Sequence, residues 1–170
     1  EEAITLSVSD LIDETPTDIS LSSSSFNENI DAGSAVASLS TTDEDSSDSH
    51  TYTLVSGTGD TDNGSFTIDG SNLKISSSPD YETKSSYSVR LKTTDSGGLS
   101  YEEAITLSVS DLIDETPTDI SLSSSSFNEN LDAGEVVATL STTDDDASDT
   151  HTYALVSGTG DTDNSSFFIE

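Results

Sequence analysis

The sequence predicts an all-β fold, a Greek-key antiparallel β-sandwich strung in tandem. Three observations carry that expectation. The stretch EEAITLSVSDLIDETPTDISLSSSSFNEN at residues 1–29 returns unchanged at residues 102–130, so Ala3 and Ala104 hold the same place in a period of 101 residues. Residues 1–69 and 102–170 differ at only 11 of 69 positions, and a period of this length is a whole domain rather than a solenoid rung. Within each period, apolar residues fall in short runs between turn residues, with no helical stripe of useful length. About seven such runs per hundred residues suit a sandwich.

In chain order the strands are expected near 18–24 (DISLSSS), 35–41 (AVASLST), 51–56 (TYTLVS) and 65–69 (SFTID). Three more are expected near 73–77 (LKISS), 86–94 (SYSVRLKTT) and 100–109 (SYEEAITLSV). In the 86–94 run, Tyr87, Val89 and Leu91 alternate with Ser88, Arg90 and Lys92, which places the apolar side chains on one face. Asp69-Gly70, Gly97-Gly98 and Gly57-Thr58-Gly59 are the turn signals. The domain expectation is therefore a last strand and linker of one repeat over 1–13, a complete repeat over 14–114, and the N-terminal part of the next over 115–170. That last piece is expected to hold four of seven strands. It belongs either to a longer chain or to a sandwich that a neighbouring molecule's strand completes.

Composition bounds the chemistry. The chain has 34 acidic residues against 4 basic ones, a formal charge of −30, with 30% hydrophobic residues. Such a balance alone points to disorder, whereas the strand periodicity points to a fold, so something other than Lys and Arg must manage the charge. A polyanion is a poor partner for nucleic acid or an anionic membrane and a natural one for cations. With no Cys there is no disulfide framework, thiolate zinc site or thiol nucleophile. The apolar runs are too short to span a bilayer, and the first residues lack the basic, apolar pattern of a secretion leader; a leader would lie outside this segment.

The acids gather in a joint, SDLIDETP, at 9–16 and again at 110–117. Other acids sit in loops that a sandwich places at its ends: Glu28, Asp80 with Glu82, and Asp144 with Asp146. Two like charges about 4 Å apart cost about 4 kcal/mol at an effective dielectric of about 20. A hard divalent cation relieves that repulsion. Ca²⁺ suits it best, with Mg²⁺ second because it needs a tighter octahedron and dehydrates reluctantly. The bland alternative is a solvated acidic surface.

At this point the residues resemble a family. The NEN with Glu28, the DxD of Asp43 and Asp45, the FTID near Phe66, the DYE of Asp80–Glu82, the TTDSGG with Asp95 and the closing DLIDETP follow one another as in cadherin repeats. They look in particular like the cadherin-like repeats of large bacterial surface proteins. The resemblance implies a cadherin/Ig-like sandwich with Ca²⁺ bound between successive repeats. Carried over residue by residue, Glu28, Asp80, Glu82, Asp111, Asp114 and Asp146 would hold the first two ions. Asp144 and Asp146 would hold a third, with main-chain oxygen from Glu115 and from near Asp149. Asp10, Asp13, Asp43, Asp45 and Asp95 would be half of the preceding joint, and Glu129 would open the next. The family shows DxNDNxP where this chain has DLIDETP. Ile12 and Ile113 thus replace a ligating Asn, which reduces the expectation to two ions per joint unless water or another acid substitutes.

Other motifs exclude themselves. DEDSSDSHTYTL fails as an EF-hand loop, having Asp48 in place of the sixth-position Gly and Leu54 in place of the twelfth-position Glu. His50 and His151 are one repeat position counted twice and read as strand-edge residues rather than ligands or bases. No nucleophile elbow or poised nucleophile–base pair is present. The Asn63 and Asn164 sequons are matches common by chance. The expectation is a non-enzymatic, calcium-binding spacer that rigidifies an extracellular adhesin or cell-surface fibre. Its partners are neighbouring repeats and identical chains in a fibre, with no nucleic acid and no membrane insertion. The competing readings are a module that binds a partner itself, homophilically or on a glycan, a strand-exchanged filament subunit, and an accessory module of an enzyme.

Overall fold

The computed structural model describes residues 3–9, 14–45, 47–146 and 148–170. Its packing divides the chain into two units, Glu1–Leu112 and Ile113–Glu170. The described residues of the first unit hold eight strands: β1 (Asp18–Leu21), β2 (Ser25–Asn27), β3 (Ala35–Thr42), β4 (Thr51–Leu54), β5 (Phe66–Asp69), β6 (Asn72–Ile75), β7 (Ser86–Thr94) and β8 (Ser100–Ser110). They form two four-stranded sheets with orders β1-β3-β6-β5 and β2-β8-β7-β4. The expected all-β sandwich is thus present.

The strand expected over 18–24 is confined to β1, and a further short strand, β2, follows it in the other sheet. β1 pairs antiparallel with β3, Ile19 opposite Thr41. β2 crosses to the other sheet and lies parallel to β8, Phe26 opposite Val109. The break falls in a serine run, where the Ser23 hydroxyl donates to the Ser25 carbonyl and accepts from the Ser25 N–H. Such local bonds compete with a sheet ladder. β2–β8 is also the one parallel pairing among the described strands.

The core follows the alternation. Val89 and Leu91 on β7, Leu107 on β8 and Leu73 on β6 are completely buried, each burial contributing about 1.5–3 kcal/mol. Phe26, Phe66 and Tyr87 pack together, with Phe66 edge-on to both rings at centroid distances of 6.4 and 5.4 Å. Gly59 has φ +90°, and a Cβ there would stand 2.5 Å from that of Ala104 on β8, so the turn needs glycine both conformationally and sterically.

The second unit repeats the first pairing. β9 (Asp119–Leu122) and β10 (Leu140–Thr143) are antiparallel, with Asp119 opposite Thr143 as Asp18 is opposite Thr42. Residues 126–128 and 152–155 match β2 and β4, which in the first unit rest on β8 and β7. Without such strands beside them they stay outside the sheet. Among the described residues, no helix is long and apolar enough to cross a membrane.

Candidate metal centre

Glu28 follows directly on β2, whose Phe26 anchors it in the core. It is 1% exposed. One carboxylate oxygen accepts the Tyr81 N–H at 2.8 Å and the other the Leu112 N–H at 2.7 Å. A buried carboxylate is tolerated only with such compensation, so Glu28 fixes the DYE loop and the end of the chain after β8 together. Asn29, at φ 57°, turns the chain away and donates its N–H to the Pro79 carbonyl.

The DYE loop then crowds its acids. Asp80 accepts from the Thr83 N–H and hydroxyl at 2.9 and 2.8 Å, which hold its carboxyl below the ordinary range. Glu82 goes the other way. Loss of water raises it first, although the residue as a whole is exposed, and the charges of Glu28, Asp111 and Asp80 raise it further. Four carboxylates of the first unit therefore feel one another at this end of the sandwich.

The opposite end of β7 carries a second group. Eight steps of strand separate Ser86, beside Ser108, from Thr94, beside Thr51, about 26 Å at roughly 3.3 Å per residue. There Asp43 meets His50, Oδ2 to Nε2 at 2.9 Å, which lowers the Asp43 pKa. Asp48 joins them, each residue bringing a ligand atom within 4.8 Å of the others. Asp45, 3% exposed, accepts the Glu14 N–H at 3.0 Å. Asp95, 7% exposed, accepts the Leu99 N–H through Oδ1, while its Oδ2 is buried without a hydrogen-bond partner.

The second unit builds the same loop again. Asp144 and His151 are 2.8 Å apart, with Asp149 beside them, and the histidine bond lowers the Asp144 pKa. Asp146 is 2% exposed. Its Oδ2 accepts the N–H groups of Asp114 and Glu115 at 2.9 and 2.8 Å, and its Oδ1 is buried without a hydrogen-bond partner. Asp114, Glu115 and Asp146 bring oxygens within 4.8 Å of one another.

Of the residues singled out in the sequence, the first unit thus gathers Glu28, Asp80, Glu82 and Asp111 at one end and Asp43, Asp45 and Asp95 at the other. The second unit gathers Asp114, Asp144 and Asp146. Glu129 is exposed, because Glu28 owes its burial to Tyr81 and Leu112 and the described residues of the second unit hold no counterpart of either. Asp10 and Asp13 lie outside the described residues. Ile113, 62% exposed, offers no side-chain oxygen. Sequence reasoning missed Asp48, His50 and His151 as members of the group, and gave Asp149 and Glu115 main-chain oxygen only, not their side chains. The signal was the run of four acids, Asp43, Glu44, Asp45 and Asp48, ahead of His50, within the stretch that fails as an EF-hand loop.

The donors fit a hard divalent cation. Outside the His50 and His151 positions they are oxygens, and buried carboxylate oxygens on Asp48, Asp95 and Asp146 have no hydrogen-bond partner. A buried charge left so is costly unless a cation meets it.

Comparison with known proteins bears on the fold and the family. The cadherin domain model matches residues 22–110, just over half of the chain. No curated protein matches the chain by sequence. Among solved structures, the human desmocollin-1 ectodomain is similar at TM-score 0.57 and 22% identity, over 81% of this chain and 28% of that one. The protocadherin GammaB4 extracellular domain is similar at 0.55 and 24%, over 82% and 23%. Human protocadherin-24 EC1-2 is similar at 0.52 and 22%, over 76% and 61%. The chain spans 34% of the protocadherin Gamma B7 structure it also resembles. These likenesses establish the sandwich alone, and the family match spans the strand that carries Phe26 and Glu28, the DYE loop and the closing β8. The chain belongs to the cadherin domain family.

Proposed function

We propose that these repeats are calcium-binding spacers of an extracellular adhesin or surface fibre of bacterial type. In this reading, Glu28, Asp80, Glu82 and Asp111 of one repeat, the linker acids Asp114 and Glu115, and Asp144 and Asp146 of the next share Ca²⁺. Asp43, Asp45 and Asp95 serve the joint before, with Asp10 and Asp13, and Glu129 serves the joint after. Asp146 is the observation that carries the reading: a carboxylate with one oxygen held by the two linker N–H groups and the other buried without a donor. It joins a linker to a sandwich and presents charge that only a cation satisfies there. Ca²⁺, with roughly 6–8 oxygen ligands, accommodates that number of carboxylates.

Without cation the acids repel and leave the linker flexible; with it the angle between repeats is fixed. The near-identity of successive repeats suits a spacer better than a site of selective recognition. A Ca²⁺ titration of the chain, read by melting and small-angle scattering, tests this. Stabilisation is expected to follow RT ln(1 + [L]/Kd), about 2.7 kcal/mol at a hundredfold excess over Kd, with a longer particle, and Asp114→Ala removes both. Identical melts and scattering in chelator and in millimolar Ca²⁺ would sink the reading and leave the acids as a solvated surface.

A further inference from the structure

We propose that the loop between β3 and β4 holds a cation of a second class, a first-row transition ion such as Zn²⁺, on Asp43, Asp48 and His50. The site lies within one repeat and goes beyond the joint reading, which places an oxygen-binding cation between repeats. Asp43 directly follows β3 in one sheet and His50 directly precedes β4 in the other, so the sandwich fixes both ends of the loop. The His50 and Asp43 side chains are 14% and 3% exposed, with Nε2 and Oδ2 2.9 Å apart. Asp43 Oδ1 accepts the Asp45 N–H at 3.1 Å, which leaves Oδ2 for the histidine side. Asp48 brings a carboxylate oxygen within 4.8 Å of both partners.

An ion pair accounts for Asp43 and His50 but not for Asp48. Its Oδ1 accepts the Ser49 N–H at 2.9 Å, the Ser96 N–H at 3.2 Å and the Ser96 hydroxyl, which pins the loop to the turn after β7. Its Oδ2 is buried without a hydrogen-bond partner among the described residues. A carboxylate oxygen taken from water with neither donor nor counter-charge is destabilising, and residues 43–50 include no Lys or Arg. Oδ2 is therefore the oxygen left for a cation.

The imidazole decides the class of that cation. Ca²⁺ and Mg²⁺ are held by oxygens, whereas imidazole with carboxylates suits Zn²⁺ and its first-row neighbours. With metal–ligand bonds of about 2.0–2.2 Å, two ligands at right or tetrahedral angles stand about 3–3.5 Å apart. The 2.9 Å between Nε2 and Oδ2 needs little opening to admit the ion, and water completes its shell. The second unit gathers the same group, Asp144, Asp149 and His151. Its loop departs from the first at residues 145, 147 and 150, matching 44, 46 and 49, yet keeps all three ligands.

Calorimetric titration of the metal-free 170-residue chain with Zn²⁺, in excess Mg²⁺ to occupy loosely held carboxylates, tests the site. Co²⁺ absorption supplies the signature of mixed nitrogen and oxygen ligation. The wild type is expected to show a tight Zn²⁺ phase. The His50→Gln/His151→Gln variant is expected to bind at least about a hundredfold more weakly, a larger loss than removing a partner outside the ligand shell brings. Asp48→Asn/Asp149→Asn keeps an oxygen for Ser96 and removes the orphan charge. It is expected to melt no lower in chelator while also losing the tight phase, which separates ligation from a structural role. A wild type without that phase overturns the proposal. So does a histidine variant that keeps it, which leaves Zn²⁺ on carboxylates alone, or an asparagine variant of wild-type affinity. Asp43 is the one residue common to both readings, and the Asp114→Ala test of the joints does not involve His50 or Asp48, so either reading can fail without the other.

Discussion

At the scale of the residue, the candidate site is governed by how each carboxylate is compensated. Glu28 is compensated by two backbone N–H groups, so Glu28→Gln turns one acceptor into a donor facing an N–H. The expected cost is about 1–3 kcal/mol, measurable by urea unfolding in chelator, while an exposed change such as Glu129→Gln costs almost nothing. Glu82 has only its own backbone N–H to offset lost water and like charges, and its raised pKa gives the opposite sign. The folded state holds its proton more tightly than the unfolded one, so stability in chelator falls as pH rises through the window above its ordinary value of 4.5. Glu82→Gln is expected to flatten that slope and stabilise the protein without cation, yet weaken Ca²⁺ binding in calorimetry. A variant with the wild-type slope would show that Glu82 is not the titrating group. The acids themselves were legible from loop position and repetition. What the sequence could not give was their compensation: Asp45 and Asp146 owe their burial to the N–H groups of Glu14 and Glu115, 31 residues away in each case.

At the scale of the element, β7 and β8 were the most legible, because Tyr87, Val89 and Leu91 alternate without interruption and all three are buried. The exchange of sheets between β1 and β2 was not. A run of serines carries no apolar alternation to mark a crossing, and the bonds that make it are local and polar. Gly57 and Gly59 read as turn residues, but only the fold shows why the second is needed. Gly59→Ala is expected to cost about 1–3 kcal/mol in thermal or urea unfolding, from its positive φ and the contact with Ala104. Gly64→Ala, with open space around it and no positive φ, is the matched control and should be nearly neutral.

At the scale of the whole molecule, charge is the dominant fact. Described ion pairs such as Lys74–Asp69 and Arg90–Glu102 are partly exposed, and each contributes at most about 1 kcal/mol. They cannot offset a formal charge of −30. Self-repulsion must fall when salt shortens the Debye length from about 30 Å at 0.01 M to about 8 Å at 0.15 M. The melt in chelator is therefore expected to rise by a few degrees with sodium chloride, and Ca²⁺ to exceed that rise at far lower concentration. An equal response to both salts at equal ionic strength would mean screening without a specific site.

The parallel pairing of β2 with β8 has a mechanical consequence. One strand lies near the start of the complete sandwich and the other ends it, so tension between the two ends slides them along each other. The hydrogen bonds from Ser108 to Ser24 and from Glu28 to Ser110 flank the paired residues and lie across that direction. They must fail together in shear, where an antiparallel pair gripped at one end would unzip bond by bond.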